Sequence, residues 1–207
     1  MASAIVALIV LMAGCGTAIA LLGDKASVSG GVTPDLPSPS PAGSPSPVGS
    51  STPSLTATSA SNNGVTIPVP AGWSVASKDN ESIILLNPNG NGSVTVGSGA
   101  LNPKSTAQQG KDSIDSAFRS KYPDVKNCPN TQTTTGTFNG AAGIFWTLCF
   151  TYTSTGHSFP AASALFAGTN SGGSVYYVLE LATLQSNLQA FTTESKPVVQ
   201  GIQWKLK

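Results

Sequence analysis

The segment Ile144-Phe145-Trp146-Thr147-Leu148-Cys149-Phe150-Thr151-Tyr152-Thr153 alternates without a break. Successive side chains of an extended chain point to opposite sides. Ile144, Trp146, Leu148, Phe150 and Tyr152 therefore share one face, and Phe145, Thr147, Cys149 and Thr151 share the other. The spacing predicts a long strand whose large apolar face must be covered by another layer. Just upstream, Asn139-Gly140 carries the residues that tolerate the positive φ of a tight hairpin, so Gln132–Phe138 is read as the partner strand. Downstream, Ser154-Thr155-Gly156 turns the chain into Phe159–Ala167, and Thr169–Gly173 turns it again into Ser174–Ala182. In this last segment Val175, Tyr177, Leu179 and Leu181 share a face. The centre of the fold is thus an antiparallel meander.

The flanks follow from the same rules. Val65–Val69 and Trp73–Ser77 sit on either side of the turn Pro70-Ala71-Gly72, and Ser82–Asn87 and Ser93–Ser98 on either side of Pro88-Asn89-Gly90-Asn91-Gly92, so both pairs are read as β-hairpins. Between these strands and the meander the period changes. Ala107, Ile114, Ala117, Phe118 and Tyr122 recur at helical spacings, with Ser105 as a candidate N-cap and Pro123 as the stop. After the meander, Leu188, Phe191, Val198, Val199 and Ile202 give a second helical stretch over Ser186–Ile202. Pro197 either kinks it or opens a further helix there. Gln203-Trp204-Lys205-Leu206 reads as a closing edge strand. The order predicts an α+β fold: an antiparallel sheet with helices packed on it.

Three short pieces carry a resemblance to a known family. They are Val69-Pro70-Ala71-Gly72-Trp73-Ser74-Val75, the Asn139-Gly140 turn with Gly143 beyond it, and Val199-Gln200-Gly201-Ile202-Gln203-Trp204. Together with the element order, they make residues 63–207 resemble the PsbP-like domain family, which takes in bacterial envelope lipoproteins of the DcrB and LpqN kind. The resemblance implies an α/β/α sandwich and a binding or accessory role. It carries over no catalytic residue.

Residues 1–62 say where such a domain works. No charged side chain occurs from Ala2 to Gly23, and Asp24-Lys25 ends the run. About 22 residues make a helix of roughly 33 Å, enough to cross a ~30 Å hydrocarbon core. Inside the run, Leu11-Met12-Ala13-Gly14-Cys15-Gly16 resembles a bacterial lipobox, with Cys15 as the lipid-attachment residue. Residues 1–23 are accordingly read as an uncleaved anchor or as a lipoprotein signal, and cleavage with release is the remaining alternative. Residues 24–62 form a linker rich in Pro, Ser, Thr and Gly, including the Pro-Ser steps of 36–41 and 44–47. About 37 such residues would reach roughly 115 Å if fully extended. The whole arrangement predicts a domain at the cell membrane, facing outside the cytoplasm.

The chemistry of the domain is sparse. The chain has ten Lys and Arg, nine Asp and Glu, and one His. Setting aside Lys25, Asp24 and Asp35 leaves nine basic against seven acidic residues in 63–207, with no basic stripe for nucleic acid and no acidic cluster for calcium. Cys128 and Cys149 fall near opposite positions at the open end of the hairpin around Asn139-Gly140. A disulfide there suits an oxidising compartment, and two separate buried thiols are the alternative. With one histidine they make no four-ligand zinc set, so neither a metal nor a cofactor is implied. His157 is read as a turn residue, with no Gly-x-Ser-x-Gly elbow to partner it. Glu180 is the one carboxylate in a strongly apolar strand, either lining a pocket or on an exposed face.

The function expected is non-enzymatic: a tethered binding or accessory module. Its partners are the membrane and either an envelope protein or a small molecule. A surface hydrolase built on His157 and Glu180, or a passive envelope protein, are the alternatives.

Overall fold

The computed structural model describes residues 58–154 and 156–207. Eight strands form one antiparallel sheet. They are β3 (Ser74–Lys78), β4 (Ser82–Leu86), β5 (Gly92–Ala100), β6 (Lys126–Asn127), β7 (Thr134–Phe138), β8 (Ala141–Ser154), β9 (His157–Thr169) and β10 (Val175–Leu184). Their spatial order is β3-β4-β5-β10-β9-β8-β6, with β7 also paired to β8. A small second sheet joins β1 (Thr58–Ser61), β2 (Val65–Val69) and β11 (Gln203–Trp204) in the order β1-β2-β11. The helices are α1 (Ala107–Lys121), α2 (Leu188–Glu194) and α3 (Lys196–Gln200).

The meander sits where its alternation put it. β8 pairs with β9 from Ala142↔Thr169 to Ser154↔His157, and β9 pairs with β10 in turn. Ile144, Trp146, Leu148, Phe150 and Tyr152 are buried in one cluster with Ile114 and Phe118 of α1. The Phe118 and Tyr122 rings both pack on Phe150, at centroid distances of 5.4 and 4.2 Å. The opposite face is closed by the small sheet with α2 and α3. There Ile67, Leu85, Val94, Leu179, Phe191 and Val198 share a second cluster. The large sheet is thus the middle layer of three, and each face has its own core.

Local chemistry sets the element ends. The N-cap of α1 is Thr106, one residue beyond the expected Ser105. Gln109 decides the matter by completing a capping box: its N–H donates to Thr106 Oγ1 at 3.2 Å, and its Oε1 accepts from the Thr106 N–H at 2.9 Å. Pro197 opens α3 in its first turn, where a missing N–H costs nothing. The turn joining β7 to β8 has φ of 47° at Asn139 and 85° at Gly140, the left-handed pair that a two-residue hairpin requires.

Two expectations change. The strands on either side of Pro70-Ala71-Gly72 are not a hairpin: β2 belongs to the small sheet, and β3 is the far edge of the large one. The turn passes the chain between layers. In addition, β1 lies within the stretch read as linker, 24–62, with Thr58–Ser61 paired to Thr66–Val69. Its Thr-Ser-Ala-Ser sequence has no strand pattern of its own and is ordered by the free edge of β2.

Candidate functional site

One end of the domain carries an open groove of about 1150 Å³. Four separated segments build it: the start of α1, the β7–β8 hairpin, the β9–β10 turn and the C-terminal strand with the residues after it. Each is held by a specific contact, the approach to α1 by the Ser105 N–H donating to the Gly173 carbonyl at 2.9 Å. Asn139 Nδ2 donates to the Ile202 carbonyl at 2.8 Å, which ties the hairpin to the C-terminal segment. Tyr177 Oη donates to the Leu206 carbonyl at 3.1 Å, and the Trp204 ring packs on Tyr177 with centroids 5.0 Å apart. Asn170 Oδ1 accepts from the N–H groups of Ser174 and Val175, folding the β9–β10 turn on itself.

The floor is built from small residues. Ala141, Ala142 and Gly143 run along it, with Gly136 opposite Gly143 on β7. A Cβ on Gly143 would strike the Phe166 ring and the Ala167 carbonyl, so this position must stay bare for the sheet to close. Apart from Tyr177, the only ionisable side chain in the lining is that of Lys207. Burial raises the Tyr177 phenol above its ordinary pKa, so it stays neutral. At the α1 N-terminus the capping box already uses the Thr106 and Gln109 N–H groups. The groove offers apolar contact, amide and hydroxyl groups, and two aromatic rings. Its lining includes no carboxylate or imidazole side chain among the described residues.

The residues singled out from the sequence lie elsewhere. Cys128 and Cys149 form a disulfide, with Cα atoms 4.9 Å apart, at the far end of β8 next to β6. It packs with Ala162 and holds no part of the groove. His157 is exposed at the first position of β9, opposite Ser154. Glu180 lies in the middle of β10, opposite Leu165 of β9 and Thr95 of β5. From His157 to Leu165 is roughly 26 Å of strand at ~3.3 Å per residue, so the two members of the expected hydrolase pair are not brought together. Cys15 and the apolar run 2–23 fall outside the described residues.

Glu180 is buried, at 2% exposure, which corrects the exposed-face reading. Its Oε1 accepts from Ser163 Oγ at 2.7 Å, and among the described residues Oε2 has no hydrogen-bond partner. Burial pushes its pKa up to about 7, against the opposing pull of the Ser163 hydrogen bond and the Lys121 charge. Among the described residues, no cluster of three His, Cys, Asp or Glu side chains could hold a metal ion.

No family model matches the chain, and no curated protein matches it in sequence. Solved structures do. LpqN, involved in cell envelope biogenesis of Mycobacterium tuberculosis, is 10% identical at a TM-score of 0.47, over 73% of this chain and 87% of its own. Cyanobacterial PsbP from Synechocystis is 12% identical at a TM-score of 0.46, over 76% and 98%. The Saccharomyces cerevisiae Ran-binding protein Mog1p is 8% identical at a TM-score of 0.44, over 72% and 96%. At these identities the likeness concerns the fold. The short sequence pieces at 69–75, 139–143 and 199–204 carried a resemblance that implied helices layered on an antiparallel sheet. The layered α+β arrangement implied by that resemblance is the one observed.

The groove escaped the sequence because its walls come from positions up to about a hundred residues apart. Only the Asn139-Gly140 turn and the edge strand at Trp204 gave a local signal, and neither says that the two meet.

Proposed function

We propose that this chain is a membrane-tethered, extracytoplasmic binding module that holds a largely uncharged ligand in the groove and does not transform it. The groove itself carries the reading: an open volume of about 1150 Å³, floored by small residues, flanked by Trp204 and Tyr177, and lined by no carboxylate or imidazole side chain. Such a surface recognises by shape, stacking and amide hydrogen bonds. The apolar run Ala2–Gly23, with Cys15 inside it, supplies the tether, and the Pro-rich stretch supplies the reach. Among the described residues no helix is long and apolar enough to cross a membrane.

The test is thermal unfolding of the purified full chain against lipids, wall fragments and neutral oligosaccharides, repeated with Ala142→Trp, which fills the groove. A ligand at ~100 times its dissociation constant adds about 2.7 kcal/mol, a shift of several degrees. The expected result is a shift in the wild type that is absent in Ala142→Trp. A shift that survives in the variant places binding elsewhere, and an unresponsive panel removes small molecules as the ligand class. The tether is tested by membrane fractionation together with the intact mass of the chain. A mass beginning at a lipid-modified Cys15, or one including residues 1–14, supports it; an unmodified soluble product overturns it.

A further inference from the structure

The two edges of the large sheet differ. At one end, β3 pairs with β4 across a register break between Val75 and Ser77 and closes with Lys78, both devices that discourage a further strand. At the other end β6 and β7 both pair with β8; β6 is a two-residue strand carrying Lys126, and β7 has neither device. Thr134-Thr135-Gly136-Thr137-Phe138 is regular, uncharged and free of proline, its first four residues are exposed, and among the described strands it pairs with β8 alone. The two-residue turn at Asn139-Gly140 fixes which backbone groups are spent. Pairs Phe138/Ala141, Gly136/Gly143 and Thr134/Phe145 exchange hydrogen bonds with β8, so the N–H and C=O of Thr135 and Thr137 point outward.

We propose that this edge pairs with the same edge of a second copy of the chain, antiparallel about Gly136. The sequence is complementary to itself in that register. Thr135 of one copy meets Thr137 of the other, twice, so four outward backbone groups on each strand close four hydrogen bonds, and threonine faces threonine on the side where α1 packs. Gly136 meets Gly136 at the two-fold axis, in the close, non-hydrogen-bonded pair where a bare Cα is least crowded. No charge faces a like charge anywhere along the pairing. A cyclic dimer of this kind buries an edge that would otherwise template open-ended association.

The experiment is sedimentation velocity of the full chain in detergent, with Thr137→Pro, Thr135→Lys and Gly136→Cys alongside the wild type. Thr137→Pro deletes one outward donor and leaves the ladder to β8 intact. Thr135→Lys keeps the backbone and adds a charge to the edge of each copy. Both are expected to raise the dimer dissociation constant at least tenfold with an unfolding midpoint close to wild type. Gly136→Cys places two thiols at Cα positions about 4.5 Å apart, within disulfide range, and is expected to cross-link under mild oxidation. Thr133→Cys, displaced from the axis, is not. Three results overturn the proposal: a monomeric wild-type chain at 100 times the detection limit, a dimer indifferent to both edge substitutions, or Gly136→Cys cross-linking no better than Thr133→Cys. The second of these assigns association to the apolar run. A heterologous strand captured on β7 by a monomeric chain assigns the edge to another protein.

Discussion

Along β10, Tyr177, Leu179 and Leu181 turn toward the small sheet with α2 and α3, while Tyr176, Val178 and Glu180 turn toward the side on which α1 packs. One strand therefore serves two interiors of different character. On the small-sheet side, β4, β5 and β10 present Ile83, Leu85, Val94, Val96, Leu179 and Leu181, and Phe191 of α2 is pressed so closely on Gly92 that a Cβ there would enter its ring. On the α1 side, the same three strands present Ser82, Thr95 and Glu180 among Ile84, Tyr176 and Val178, and α1 contributes the buried Asp115. The first interior is held by area and fit. The second must satisfy each polar group individually, because a buried charge or dipole without a partner costs far more than a lost methyl group.

The strongest way to break this contrast is Phe191→Ala. Phe191 is 2% exposed and its ring packs near Trp73 at a centroid distance of 6.1 Å. Truncation should cost about 3–5 kcal/mol, a large part of a domain's total stability. Denaturant unfolding measures this. A loss below about 1 kcal/mol would mean that the small-sheet side is not a packed core.

Next in size is the disulfide. Cys128 and Cys149 are separated by 21 positions, and Cys149 faces the small-sheet side at the β6 end, packed with Ala162. Replacing both by Ser should remove about 3 kcal/mol if the effect is loop entropy in the unfolded chain. The loss should leave the groove at the opposite end of β8 intact, so ligand-induced shifts persist in the variant. A loss of those shifts would show that the two ends of β8 are coupled.

Glu180→Gln examines the other interior. The folded-state pKa of about 7 lies above the ordinary carboxylate value of 4.5, so the unfolded chain releases its proton first as pH rises. The stability associated with the neutral acid is complete below pH 4.5, falls as pH climbs through 7, and is gone above it. Between those limits the difference between variant and wild type should change by on the order of 3 kcal/mol in favour of Gln. A constant difference across pH 4 to 8 would show that Glu180 titrates normally and is not enclosed.

The same contrast explains what the sequence disclosed. Wherever burial is periodic, position and face could be read directly. Trp146, Phe150, Tyr177 and Leu179 all lie on the faces their alternation assigned; Cys128 does meet Cys149, but through β6, which pairs with β8 four residues out of the hairpin's register. Other features had no local code. Thr58–Ser61 is small and polar and becomes a strand only because β2 has a vacant edge. Pro70-Ala71-Gly72 announces a turn but not that the chain changes sheets there. Glu180 has the period of an outward-facing residue, and its burial depends on what covers that face. The groove depends on the meeting of four segments, a property of the assembled layers.

Trp146→Phe gives the smallest and most selective test. Trp146 is 2% exposed, and its Nε1–H donates to Asp115 Oδ1 at 2.9 Å. The other carboxylate oxygen of Asp115 accepts from Lys111 Nζ at 2.6 Å, and that ammonium also lies 5.3 Å from the centre of the indole ring. Phenylalanine keeps most of the apolar volume and removes the donor, so Asp115 retains the ion pair but loses its second partner. The cost should be about 1–3 kcal/mol, the range for stranding one buried acceptor. Combining it with Asp115→Leu, which removes the acceptor, distinguishes packing from satisfaction. If the polar pair is the operative contact, the double variant should lose less than the sum of the two singles, because each single change leaves the other's group unpaired. If the losses simply add, the indole contributes by filling space, and the α1 side is held by the same physics as the side that carries Phe191.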